Sequence, residues 1–165
     1  MRIVPSALLA ACLCVPTAAA FAEVPAAIAA TGETMVAAFH AEGAQIYECK
    51  IAADGKLAWQ FREPVATLLS ESKTIGRHYA GPSWEHMDGS AVAGKAVGNA
   101  PGDTPGDIPW LKLEVTTRRG TGVLSRATTV QRINTRGGVV TGACDQAGLY
   151  RSAPYAADYI FLKAP

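Results

Sequence analysis

Apolar and polar residues alternate with a two-residue period through most of this chain, the spacing of strands that bury one face. Over residues 44–51, Tyr47, Cys49 and Ile51 fall on one side and Glu48 and Lys50 on the other; over 57–62, Leu57, Trp59 and Phe61 oppose Gln60 and Arg62. Asp54-Gly55 between these runs supplies the positive φ angles of a tight turn, so the pair is predicted to be an antiparallel hairpin. Residues 35–40 read as a preceding short strand with Glu42-Gly43 as its turn, Pro64 as the stop of the second strand, and 65–70 as a short helical turn.

The stretch 77–90, RHYAGPSWEHMDGS, is the densest in chemistry. Ile75, Arg77 and Tyr79 share a face opposite His78 and Ala80; beyond the Gly81-Pro82 corner, Trp84, His86 and Asp88 oppose Glu85 and Met87. Asp88-Gly89 is a second hairpin turn, leading to a strand of small residues whose Gly94 allows a bulge or a close backbone approach. Residues 98–109 carry Pro101, Pro105 and Pro109 and almost nothing apolar, which makes them an exposed loop or a functional lid.

Clean alternation returns at 110–118, with Leu111, Leu113 and Val115 inward. The β-branched run 123–135 is polar on both sides, Arg126, Thr128, Arg132 and Asn134 against Ser125, Thr129 and Gln131; it lies at an edge, or one polar face lines a wet cavity. After a loop over 137–148, residues 155–163 form an aromatic strand with Tyr155, Ala157, Tyr159 and Phe161 on one face. Asp158 lies opposite among apolar neighbours and calls for a cation, for which Arg132 is the candidate. About nine short strands, long loops and no long helix predict an all-β domain, an antiparallel β-sandwich or a barrel.

Composition changes this picture at the N-terminus. Arg2, the apolar run 7–15 and Ala20-Phe21-Ala22 have the form of a signal peptide over 1–22. The 165-residue chain then divides into that leader, a flexible Ala- and Pro-rich lead-in at 23–32 and a single domain at 33–165. The protein is thus expected to be exported, periplasmic or extracellular; a lipoprotein lipidated at Cys12 in Leu9-Ala10-Ala11-Cys12 is the alternative. The apolar run falls short of the roughly 20 residues a spanning helix needs. Losing Arg2 with the leader leaves 14 basic and 14 acidic residues, without basic runs, a poor match for nucleic acid. Of four cysteines, Cys49 and Cys144 remain, and in an oxidising compartment they are most simply a disulfide.

The candidate chemistry is sparse. His78, His86 and Asp88 are metal-binding residue types at a spacing that matches no ligand motif, so no metal or cofactor is expected. His78, Glu85, Asp88 and Ser90 contain the types for a hydrolase or a metal-dependent enzyme, but no nucleophile elbow accompanies them. A module binding a small molecule or a glycan accounts for more residues: Tyr79, Trp84 and Trp110 offer flat apolar faces, and Glu85, Asp88, Gln131 and Asn134 offer polar contacts. A structural role in envelope interactions is the third class.

The series IYEC (46–49), HYAGPSWE (78–85), DGS (88–90), IPWL (108–111), VQRINT (130–135), GACD (142–145) and PYAADYIF (154–161) resembles, in order, a family of secreted microbial and fungal proteins catalogued only as a domain of unknown function. The resemblance spans nearly all of the mature chain. It implies the signal peptide, the single domain and a matched Cys49 and Cys144, with His78, Trp84, Glu85, Asp88 and Ser90 on the family's pattern and His86 at a variable place. Some fungal relatives carry a dehydrogenase label, yet this chain has no GxGxxG and no strand-helix alternation.

Overall fold

A computed structural model describes residues 24–165. The predicted leader and the lipidation alternative at Cys12 lie outside the described residues. A 3-10 turn, Ala26–Ile28, precedes eight strands: β1 Thr34–Ile51, β2 Leu57–Ser70, β3 Lys73–Tyr79, β4 Ser83–His86, β5 Ala91–Ala100, β6 Trp110–Arg119, β7 Thr129–Gly137 and β8 Tyr150–Lys163. Each pairs antiparallel with the next, and β8 returns to pair with β1. The fold is all-β as expected; one sheet closes on itself as a barrel, and no second sheet is needed to cover it.

Closure depends on β1, which was read as two strands and is one. Glu42-Gly43 is no turn: a Cβ at Gly43 would stand 2.1 Å from the Val65 carbonyl oxygen and 2.5 Å from the Ala66 Cα. Glycine is there so that β1 and β2 can cross closely as the sheet coils. Nor does Pro64 end β2. It pairs with Gln45, just before β2 begins pairing with β3 at Ala66, where the strand has one partner and a missing N–H is tolerated. Residues 65–70 are strand, not helix, with Ala66 and Leu68 buried.

Inward side chains fill one half of the barrel: Phe39, Leu68, Trp84, Val92, Leu113, Val130, Tyr159 and Phe161 form one core cluster. The end of the barrel beside this core is plugged. Residues 123–127, expected to open the strand 123–135, instead fold inward with Gly122 as a loop, with Leu124 and Ala127 fully buried. The stretch expected to be a flexible lead-in packs against the outer wall, where the buried Ile28 joins Ala100 and Trp110. Gln131 Nε2 donates to the Ile28 carbonyl oxygen at 2.7 Å, and Lys112 Nζ to that of Ala29 at 3.0 Å.

Cys49 and Cys144 are bonded, 95 positions apart in the sequence. The bond ties the 138–149 loop to the β1–β2 hairpin, where Trp59 N also donates to the Gly142 carbonyl. On a chain-entropy account a loop this long is worth about 4 to 5 kcal/mol as an upper figure. No helix among the described residues is long and apolar enough to cross a membrane.

Candidate functional site

The sequence-predicted catalytic residues do not converge. His78 and Trp84 are directly paired across β3 and β4 and point into the barrel, so Glu85, the next residue, points out. On the outer wall Glu85 Oε2 accepts from Arg77 and Arg119 at 3.0 Å each and from Tyr79 O–H at 3.1 Å. These bonds, Arg77's the largest, hold its carboxyl below the usual range.

Asp88 and Ser90 belong to the plug. Asp88 Oδ1 accepts the Ser90 N–H at 2.8 Å and its O–H at 2.6 Å, Oδ2 accepts the Val123 N–H at 2.8 Å, and Ser90 Oγ accepts from Leu124 N–H. Those bonds, Ser90's O–H first, hold the Asp88 carboxyl far below its ordinary range. At Gly122, φ is +153° and a Cβ would meet the Asp88 carboxylate at 2.2 Å, so only glycine admits this docking. Ser90 is fully buried, its hydroxyl donating to Asp88 and accepting from Leu124 N–H, and so clamps the loop.

The other predicted binding residues are scattered too. Tyr79 stands outside with Glu85. Trp110 and Gln131 are buried under the N-terminal turn, and Asn134 donates to Asp158 at 2.8 Å. The predicted Arg132–Asp158 pair is absent: Asp158 is held outside by His40 and Asn134. Arg132 is registered opposite Tyr159, the neighbour of Asp158, and therefore shares Tyr159's inward face.

That face lines a cavity of about 470 Å³ at the unplugged end, beneath the Gly81-Pro82 corner. The β1–β2 hairpin contributes Gln45, Tyr47, Phe61 and Pro64; β6 and the loop before it add Ile108, Pro109, Leu111 and Leu113; β7 and β8 add Arg132 and Tyr159. Tyr47 O–H donates to the Gly138 carbonyl at 2.8 Å, which fixes the hairpin wall to the disulfide-bonded loop. Phe61 is 54% exposed and forms part of the rim.

Toward the core an aromatic group makes the floor. The His78 and Trp84 rings stack at 4.6 Å and 9°, and Tyr159 abuts both. His78 Nδ1 lies 2.8 Å from the Ser83 carbonyl oxygen, so Nδ1 carries the proton and Nε2 the lone pair. Burial pushes the His78 pKa down to about 4, opposed in part by the Ser83 bond and helped by the Arg132 charge. Burial likewise raises the Tyr155 and Tyr159 hydroxyls, which meet at 3.3 Å.

Arg132 Nε and Nη2 both donate to the Pro109 carbonyl oxygen, at 3.0 and 2.7 Å. It makes no ion pair among the described residues. Four buried side-chain atoms among the described residues lack a hydrogen-bond partner: Glu33 Oε2, Gln45 Nε2, Trp84 Nε1 and Trp110 Nε1. Gln45 and Trp84 line the cavity.

Eight antiparallel strands joined in sequence order and closed by the last on the first define an up-and-down β-barrel, here plugged at one end and hollow at the other. The chain belongs to the family described as a protein of unknown function (DUF3455), which it matches over residues 29–74 and 69–163. No curated protein and no solved structure matches it.

Proposed function

We propose that this protein is an exported binding module that takes a small organic molecule into the open end of its barrel. The supporting observation is the cavity itself. It combines apolar walls with buried N–H donors, on Gln45 and Trp84, that the chain leaves without acceptors. A buried donor without a partner costs roughly 1 to 3 kcal/mol, a penalty that a ligand acceptor relieves. An eight-stranded barrel is about the size that either fills with side chains or holds one small ligand. The bound ligand sits within the barrel mouth and not on an outward face of the Trp84 corner. Export, to the periplasm or beyond the cell, is supported by the Cys49–Cys144 bond and the leader-like first 22 residues.

The test is a thermal-shift screen of small metabolites, run in parallel on Leu111→Trp, which fills the cavity wall. A ligand at about 100 times its Kd stabilises by roughly 2.7 kcal/mol, a shift of several degrees in a domain of this size. Compounds that raise the Tm of the native protein but not of the filled variant support the reading. If no compound does so, or the shifts persist unchanged in Leu111→Trp, it fails.

A further inference from the structure

The cavity holds one cation among neutral groups. Gln45 Nε2 and Trp84 Nε1 in its wall have no hydrogen-bond partner, the neutral His78 lies in its floor, and beside them stands the Arg132 guanidinium. The Pro109 carbonyl occupies the Nε/Nη2 edge of Arg132, which leaves the Nη1/Nη2 edge uncommitted. That edge is the planar fork that matches the two oxygens of a carboxylate. Half-buried among apolar walls, the Arg132 guanidinium has the Pro109 carbonyl and the Tyr159 hydroxyl as neutral neighbours and no counter-charge among the described residues.

The charge count narrows the class further. Arg62 also borders the cavity, but Tyr150 O–H, Glu48 and Glu63 already engage it outside. His78 is kept neutral by its burial. One uncompensated positive charge suits one negative charge, and the walls around it, Phe61, Pro82 and Leu111, suit an apolar body.

We propose that the ligand is an organic monocarboxylate with an apolar body, its carboxylate seated on the free edge of Arg132. This rests on the binding reading above and adds the chemical class of the ligand to it.

The experiment is isothermal titration of the purified, disulfide-intact protein with a panel of monocarboxylates, from octanoate and decanoate to 4-phenylbutyrate. Each is matched to its primary amide, and inorganic phosphate is included as a second anion. At least one acid is expected to bind at least ~10-fold more tightly than its amide, the factor that a charge-assisted bond supplies. In Arg132→Gln that preference collapses to within about twofold while the amide's own affinity stays, and Arg132→Lys falls between because it keeps the charge and loses the fork. Acid and amide binding equally, phosphate binding more tightly than any acid, or an unaltered acid preference in Arg132→Gln would each overturn the carboxylate assignment and leave a neutral or phosphate-binding barrel standing. Absence of binding by every acid also overturns it; the broader metabolite screen decides separately whether the cavity binds anything. The acid-amide comparison on the unaltered protein stands whether or not the variants fold.

Discussion

The two ends of this barrel are made from the same strands and handle their polar groups in opposite ways. At the plugged end the 122–127 loop turns inward, Ser90 takes up the Leu124 N–H that it buries, and Asp88 takes up the Val123 N–H beside it. At the open end the walls bring together Gln45 and Trp84, whose N–H donors find no acceptor in the chain, and Arg132, which meets the neutral Pro109 carbonyl and no counter-charge among the described residues. Buried polar groups in a folded protein are ordinarily satisfied. The contrast therefore separates side chains that hold the fold from side chains that wait for something else. It also inverts the first impression from the sequence: the carboxylate and serine that look catalytic belong to the structural end.

The sharpest way to break this comparison is to remove Asp88. Asp88→Ala strips three hydrogen bonds from a charged acceptor and strands the Val123 N–H in the plug. Asp88 is itself exposed, so water screens part of the loss, and about 1 to 3 kcal/mol in urea unfolding is expected. Arg132→Gln at the open end should cost less than about 1 kcal/mol, because Arg132 has no counter-charge among the described residues and the Pro109 carbonyl it bonds is exposed to water. Equal losses at the two sites would mean that Arg132 is structural too.

His78 gives the next effect, and it tests whether the aromatic floor is dry. Its folded pKa of about 4 lies below the ordinary 6.5, so between those values the unfolded chain binds more protons than the folded one. Stability is then complete above about pH 6.5 and declines as the pH falls toward 4, by up to about 3 kcal/mol at pH 4. The Asp88 carboxyl, also lowered by the fold, likewise loses its contribution as the pH falls, but from its ordinary value of 3.8 downward, under that window. Urea titrations at pH 7.5 and 4 of the native protein and of His78→Gln should show the pH-dependent loss shrinking in the variant. An unchanged loss would mean that water reaches the ring.

How much of this could be read from the residues divides along the same line. Alternation and the Asp54-Gly55, Gly81-Pro82 and Asp88-Gly89 signals place most strands, because a strand with one wet face writes its period into the sequence. The matched cysteines were legible for a similar local reason, two thiols left in an oxidising setting. Gly43 misled because a glycine needed for close approach looks the same as one needed for a turn. The β2–β3 turn gave no sign at all: Glu71 and Ser72 take φ of 48° and 64°, where glycine or asparagine is usual. The candidate site was least legible. Gln45 is a polar residue among the inward positions Phe39, Ala41, Tyr47 and Cys49, and that break in an otherwise apolar face is the local mark of the cavity. Arg132 could not be assigned, since alternation gives its side but not its register, and a slip of one residue exchanges Tyr159 for Asp158 as its neighbour.

The smallest effect isolates the open end's donors from its fold. Gln45 is 2% exposed and its Nε2 has no partner, so its amide contributes a desolvation cost without a compensating bond. Gln45→Met keeps the volume and removes the polar atoms. Its stability should be unchanged or higher by about 1 kcal/mol, while affinity for a cavity ligand falls. The opposite pairing, lost stability with unaltered ligand affinity, would show the amide bonded within the wall, most simply to the nearby Tyr155 hydroxyl. The open end would then satisfy its polar groups as fully as the plugged end does, and the physical distinction between the two would rest on Trp84 and Arg132 alone.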